Sequence, residues 1–410
     1  MNPNPLPNSG VATGLATLAV IAIGVLLRCQ HMTDVTSRSP DERTYSRYAA
    51  TLADEGIRGY RGLFAAYNAD PNQWFNPSPS RFGFVLLSSM VMKAAGVRSS
   101  RAGAAVSWCF SILSLFLLAW MGRRFFDPWA ALFAVAFLSC SFSELGMGRR
   151  AWQDSTFGFL GLLLVYLACE IVRAPRRRLP YLAFFAAGSF SMLIKETAFL
   201  SYGCCGVWLA VTFALRERSM KMVAGLVAGA LLSLAVSLAV WTIVAGSPST
   251  AIASASHMIR AAGSNPYAAQ AYAGPWHQFV YLLWIVGPLT ALMALAGLVI
   301  VAMTGGRREA ALAATMTVLF IMLGSVGPQL QNLRVISPAN GAYCLLAGLG
   351  VWRLLSPAAA WLRGYRSALI VALLGIAIEG GRDYRAFTNI VVRSGMEDLA
   401  VAGIRQVSGQ

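Results

Sequence analysis

Ser39-Pro40-Asp41-Glu42-Arg43 opens a helix inside the one long polar loop of an otherwise apolar chain. Ser39 at the N-cap, Pro40 at the first helical position and Glu42 three residues after the cap form a capping box, and two acids in a first turn suit the positive end of the helix dipole. The same two carboxylates also read as chemistry. Which reading holds depends on the charges that the rest of the chain brings near them.

The surroundings are those of a membrane. Of the 410 residues, 57% are hydrophobic and 12% charged, where soluble domains carry about 25% charged residues. The reading is therefore an all-α polytopic membrane protein. The net charge of +16 would suit a nucleic-acid partner, but most of the excess sits in short loops between apolar runs, where the positive-inside rule accounts for it. Nucleic acid is excluded as a partner and the lipid bilayer takes its place. Lys93, Lys195 and Lys221 are the only lysines; all other cations are arginines, which fork onto phosphates in a bidentate way. The seven cysteines lie mostly in apolar segments without metal-type spacing, so they read as small core residues and imply no disulfide framework. The first apolar run, 11–27, is long enough to span and has no basic stretch before it, which marks a retained helix.

Outward from the opening stretch, residues 28–101 form a loop that holds Asp34, Asp41, Glu42, Asp54, Glu55 and Asp70. Within it, residues 41–55 place Tyr45, Tyr48, Ala49 and Leu52 at helical spacing with charges opposite, and Gly56 follows as a C-cap: an amphipathic helix lying along the membrane face. A turn-rich segment, Trp74-Phe75-Asn76-Pro77-Ser78-Pro79-Ser80, leads into a second helix over 81–97, too short before Lys93 to span and therefore re-entrant or interfacial. Beyond it, apolar segments at 102–122, 128–142, 156–172, 181–194, 197–215, 222–244, 279–303, 310–326, 335–355 and 367–378 bring the expected total to about eleven transmembrane helices.

Arginine-rich connections alternate with poorer ones. Arg123-Arg124, the 173–178 cluster, 216–221, Arg307-Arg308 and 353–366 fall on one side, which is read as cytoplasmic. The opposite face then receives Arg149, Arg150 and Asp154, the hairpin tip Lys195-Glu196, the stretch 246–278 with His257 and His277, and Arg334. With the 81–97 helix interfacial, Asp41 and Glu42 join them; were it to span, the constellation would fall apart.

A few carboxylates among scattered cations suit an anionic lipid headgroup attacked by a neutral hydroxyl. A carboxylate takes the hydroxyl proton, and the cations hold the phosphate as it leaves. Each group also has a plain structural reading: Arg149, Arg150 and Arg334 as snorkelling interface residues, Lys195 and Glu196 as each other's partners, Asp154 as the first residue of a helix, and the histidines as ordinary structural side chains. Metal is optional for this chemistry, since the leaving group is already a phosphate ester; Asp41 and Asp154 would be the carboxylates to hold a divalent cation.

With Pro40-Asp41-Glu42 before a Tyr-rich helix, an interfacial helix after a Pro-rich turn, Arg150 with Asp154, and Lys195-Glu196-Thr197 at a hairpin tip, the chain resembles the GT-C glycosyltransferases. The nearest group is family 39, which includes protein O-mannosyltransferases and the bacterial aminoarabinose transferases that modify lipid A. The resemblance covers roughly residues 11–244. It implies a catalytic transmembrane module over 1–244, a variable module over 245–378 and a short extracytoplasmic tail over 379–410. It further implies a polyprenyl-phosphate sugar donor, inversion at the anomeric carbon and a bacterial plasma-membrane enzyme acting outside the cytoplasm. Asp41 becomes the base, with Asp34 as the lesser candidate. Glu42, Asp154 and Glu196 shape the acceptor and base environment, Arg150, Lys195, Arg334 and Arg149 hold the donor phosphate, and His257 and His277 are acceptor contacts. The chain ends soon after its last span, which favours a lipid-linked or cell-surface glycan over a protein as acceptor. The rival reading is a transporter or flippase for lipid-linked or anionic substrates, whose usual internal repeat is not evident here; a membrane scaffold is a third.

Overall fold

The computed structural model describes residues 9–32, 39–264, 275–304, 308–326, 332–361 and 365–393. Among these there are helices and turns and no strand. In chain order the helices are α1 (Ser9–Cys29), α2 (Pro40–Ala69), α3 (Phe82–Ala95), α4 (Ser100–Phe125), α5 (Pro128–Cys140), α6 (Phe142–Met147), α7 (Asp154–Arg173), α8 (Arg178–Ile194), α9 (Ala198–Leu215), α10 (Met220–Ala245), α11 (Pro248–Ser264), α12 (His277–Val286), α13 (Pro288–Thr304), α14 (Arg308–Val326), α15 (Ser337–Trp361) and α16 (Tyr365–Ala386).

Seven of these helices are long and apolar enough to cross a membrane, or eight if the pair α12 and α13 is one broken span. The chain is a multi-pass membrane protein, and the described residues hold seven or eight such helices where about eleven spans were expected. Pro128–Cys140 and Arg178–Ile194 are shorter apolar helices, the first rising only about 20 Å against a hydrocarbon core of about 30 Å. The expected span at 279–303 is bent by 118°; Pro288 supplies no amide to continue α12 across Gly287. The last expected span, 367–378, lies within α16, which runs on through Glu379 and Asp383 to Ala386.

Burial follows the lipid-solvent pattern. The α10 side chains Val227, Leu231, Leu232, Leu234 and Leu238 are exposed, while Ser233 and Ser237 are buried. Ser237 donates to the Ser189 carbonyl at 3.1 Å, Ser233 to the Phe185 carbonyl at 3.0 Å, and the Tyr202 hydroxyl to Ser233 at 3.1 Å. These bonds tie α8, α9 and α10 together where apolar contact alone gains little, each contributing about 0.6 kcal/mol. At the centre, α15 packs against α5, α7 and α13, so residues on both sides of the expected boundary at 244 share one core. A Cβ at Gly348 would strike the Ala130 carbonyl, and one at Gly350 the Met293 carbonyl; the glycines let the backbones meet.

The first loop folds as a separate layer. The capping box is present in full: Ser39 accepts the Asp41 amide and Glu42 accepts the Ser39 amide. Gly56 ends the first arm with φ 65° and ψ −157°, and α2 resumes directly in a second arm that periodicity alone did not suggest. The arms close on each other through Tyr48 and Tyr60, whose rings meet edge-on at 6.4 Å. The Tyr48 and Tyr60 hydroxyls donate to the Pro77 and Pro79 carbonyls at 3.1 and 2.6 Å. Thus the proline-rich turn is held against α2, and α3 follows with Gly96 in the left-handed conformation as its cap. At 14 residues, about 21 Å, α3 is short of a span, as expected.

Candidate active site

Four segments far apart in sequence converge at the start of α2. They are the α2 N-terminus, the turn between α6 and α7, the tip between α8 and α9, and the 3-10 turn Leu333–Ile336 before α15. Asp154 is the hub. Its Oδ1 accepts from Lys195 Nζ at 2.9 Å and its Oδ2 from Arg334 at 2.8 Å. Arg334 reaches the other way to Asp41 Oδ2 at 3.3 Å. The chain Asp41, Arg334, Asp154, Lys195 grades outward from a fully buried Asp154, through Arg334 and Lys195 at 16% and 15% side-chain exposure, to Asp41 at 30%. Asp154, the first residue of α7, thus holds two cations rather than merely capping its helix. The base candidate is the member open to a substrate.

Lys195 and Glu196 are adjacent but serve different partners. Glu196 takes a two-pronged bond from Arg81, with Arg81 Nε to Oε2 at 3.0 Å. Arg81 Nη1 also donates to the Tyr45 hydroxyl at 2.8 Å. Burial works to raise the Glu196 pKa, but the charge and hydrogen bonds of Arg81 outweigh it and hold the carboxyl below its ordinary value. Burial raises the Tyr45 pKa, keeping the phenol neutral.

Glu42 combines both sequence readings. Besides capping α2 it accepts the Ala151 amide at 2.9 Å and pairs with Arg150 at 3.0 Å, with both side chains buried. This fixes the α2 N-terminus against the turn before α7. Arg149 is fully buried and spends its guanidinium on the carbonyls of Gln30, Leu145 and Leu27, over the Phe387 ring. Arg28 is likewise buried, donating to Ser111 and to the carbonyls of Gly24, Leu138 and Ser139.

The structure therefore brings Asp41, Glu42, Arg150, Asp154, Lys195, Glu196 and Arg334 together, and sets Arg149 behind them as a helix-end clamp. His257 and His277 are placed apart from this ion-pair network. His257 stacks on Trp74, with ring centroids 3.9 Å apart, where α11 docks on the second arm of α2, and His277 is exposed beside Trp276. Asp34 lies outside the described residues. Two members were not singled out from sequence. Arg81 gave only a charge after a serine and proline turn. Trp152 gave an aromatic within Arg149-Arg150-Ala151-Trp152-Gln153-Asp154, and its ring lies 4.4 Å from the Arg150 and 4.2 Å from the Arg334 guanidinium carbon. Among the described residues no group of three or more His, Cys, Asp or Glu is placed to hold a metal ion.

No family model matches the chain, and neither does any curated protein. Solved structures do. ArnT from Cupriavidus metallidurans bound to undecaprenyl phosphate aligns at TM-score 0.61 and 18% identity, over 97% of this chain and 76% of that one. The apo form of the Archaeoglobus fulgidus oligosaccharyltransferase aligns at TM-score 0.56 and 12% identity, over 90% of this chain and 56% of that one. The same archaeal enzyme, AglB, in complex with an inhibitory peptide and a dolichol-phosphate, gives TM-score 0.56 at 12% identity over 90% and 55%. At these identities the likeness is one of fold, the GT-C fold that the resemblance in sequence implied.

Proposed function

We propose that this protein is a membrane glycosyltransferase that moves a sugar from a polyprenyl-phosphate donor to a hydroxyl of a lipid-linked or cell-surface glycan. The observation that carries this reading is the chain from partly exposed Asp41 through Arg334 and Asp154 to Lys195. It offers one accessible carboxylate beside two cations at the end of a helical bundle.

In the proposed reaction, Asp41 removes the proton of the acceptor hydroxyl as its oxygen attacks the anomeric carbon from the face opposite the phosphate. The bond between the anomeric carbon and the phosphate oxygen breaks, and its electron pair leaves with the polyprenyl phosphate. Arg334 and Lys195 neutralise that charge, and Asp41 returns the proton to solvent. The configuration inverts. Glu42 with Arg150, and Arg81 with Glu196 and Tyr45, hold these groups in place. Arg334 stands between Asp41 and Asp154, where a divalent cation shared by those carboxylates would otherwise sit, so the proposed mechanism uses a guanidinium there. The site faces outside the cytoplasm of a bacterial plasma membrane in this reading.

Asp41→Asn tests it. Transfer from a radiolabelled polyprenyl-phosphate sugar in membranes falls about 100-fold or more in the variant while folding is retained; full activity removes Asp41 as the base. Sidedness is read with Asn72→Cys in a Cys29→Ser background and a thiol reagent that cannot cross the bilayer. Labelling in intact cells supports the outward face, and labelling only after lysis favours a transporter.

A further inference from the structure

The two arms of α2 border an open hollow of about 280 Å³, lined by Arg47 and Tyr48 on the first arm, Leu63, Ala66 and Tyr67 on the second, and Asp70 and Gln73 beyond it. It is separate from the ion-pair network, and none of the candidate residues read from the sequence lines it. We propose that this hollow binds a neutral sugar ring of the acceptor glycan, a few residues removed from the hydroxyl that reacts. The inference rests on the glycosyltransferase reading for the word acceptor, but not for the binding of sugar.

Three features select that ligand. The first is composition. Half-buried Leu63 and exposed Ala66 provide apolar wall for the C–H face of a ring, backed by the buried Tyr48 and Tyr67, while Arg47, Asp70 and the Gln73 amide supply donors and acceptors at the rim. The Tyr48 and Tyr67 hydroxyls are already bound to the carbonyls of Pro77 and Trp74, so the rings are fixed rather than mobile. Asp70 takes the Asn72 amide at 2.9 Å on Oδ1 and Gln73 at 3.4 Å on Oδ2. Each carboxylate oxygen retains a second lone pair for a hydroxyl.

The second is charge. One guanidinium and one carboxylate line the hollow, so its formal charge is balanced and gives no net preference for an anion. The cation-rich network around Arg334 and Lys195 does. A neutral polyhydroxyl ring and an anionic phosphate would therefore sort to different places.

Size and position are the third. The volume lies just below the ~300 Å³ lower end of ordinary ligand sites, enough for a ring but not for a branched lipid headgroup. Tyr48 is seven residues after Asp41 and so on the same face of the first arm, about 10 Å along it. That distance matches a glycan that reaches back to the base, not the reacting residue itself.

The experiment uses the full-length protein in phosphatidylcholine nanodiscs free of glycosidic detergent. Saturation-transfer NMR is recorded with maltose, cellobiose, lactose and chitobiose as neutral probes and glucuronate as the anionic one. Wild type transfers saturation to at least one neutral disaccharide in preference to glucuronate. Ala66→Trp, at an exposed position on the hollow's wall, weakens that binding at least tenfold. Gln73→Ala, which leaves the wall intact, weakens it several-fold. Asp41→Asn leaves it unchanged, because that carboxylate belongs to the other site. Absence of transfer to every neutral probe, preference for glucuronate, or undiminished binding by Ala66→Trp and Gln73→Ala overturns the proposal. Sugar binding that persists in a protein without transferase activity keeps the sugar site and rejects the catalytic reading instead.

Discussion

Asp154→Asn is the substitution whose effect the geometry fixes most tightly. It removes the single buried carboxylate that two cations share, at 2.9 Å from Lys195 and 2.8 Å from Arg334, and leaves a neutral amide between them. Breaking a buried ion pair from one side costs about 3–5 kcal/mol, mostly because the surviving charge is stranded. Here Lys195 and Arg334 keep 15% and 16% exposure, and Arg334 keeps Asp41 and the Trp152 ring. The loss is therefore placed at the lower end, about 3 kcal/mol. Lys195→Met alone deprives Asp154 of one charged hydrogen bond, about 1.5–3 kcal/mol. In the double variant the stranded ammonium is gone, so the two losses overlap and the total falls short of their sum by about 1–3 kcal/mol. The assay is an SDS titration of the purified protein in mixed micelles, followed by tryptophan fluorescence, on wild type, both single variants and the double. Additivity within about 0.5 kcal/mol refutes the reasoning, because it means that Asp154 and Lys195 do not share one interaction.

Gly56→Ala costs about 1–3 kcal/mol, since φ 65° with ψ −157° is a glycine conformation, while Gly62→Ala in the second arm stabilises by about 0.5–1 kcal/mol. A Cβ meets nothing within 4 Å at either position, so the same titration isolates the backbone contribution, and equal effects refute the bend. The depressed Glu196 carboxyl contributes stability that is complete above the ordinary glutamate value and is lost as pH falls through its lower folded value. Glu196→Gln accordingly flattens the acid limb of a thermal-stability profile below about pH 4.5, and an unchanged limb counts against the Arg81 pairing. Arg149→Met lowers stability by several kcal/mol, at about 1.5–3 kcal/mol per charged hydrogen bond lost, while the folded fraction binds the proposed polyprenyl-phosphate donor within twofold of wild type. Arg334→Gln weakens that binding at least tenfold; the reverse order in a binding titration would assign the phosphate to Arg149.

What the sequence disclosed and what it hid divide along a physical line. The capping box at Ser39 to Glu42, the break at Gly56 and the shortness of α3 were legible because each is decided within a few residues, by a cap, a φ angle or a length. The convergence of Asp41, Asp154, Lys195 and Arg334 was legible as a shared end of the bundle, because alternating arginine content sorts loops by side. The pairing within that end was not. Lys195-Glu196 offers an obvious neighbourly salt bridge, yet each residue takes a partner more than forty residues away or across the layer of α2 and α3. Side is a property of loops, whereas partners depend on how helices rotate and cross.

The same distinction separates the arginines. Arg28, Arg149, Arg150 and Arg334 look alike in sequence, and a charge-bias argument treats them as equivalent. In the structure Arg28 and Arg149 bind helix-end carbonyls, which in a bundle surrounded by lipid have no water to turn to. Arg150 is closed onto Glu42, and Arg334 alone of the four bridges to the accessible carboxylate Asp41. A cation already surrounded by fixed carbonyls gains little from an incoming phosphate, because accepting it would strand those carbonyls. Arg334 can exchange its 3.3 Å contact with Asp41 for the anion and release the carboxylate as it does so. In the proposed reaction, donor arrival and activation of Asp41 as the base would then be one event at one guanidinium.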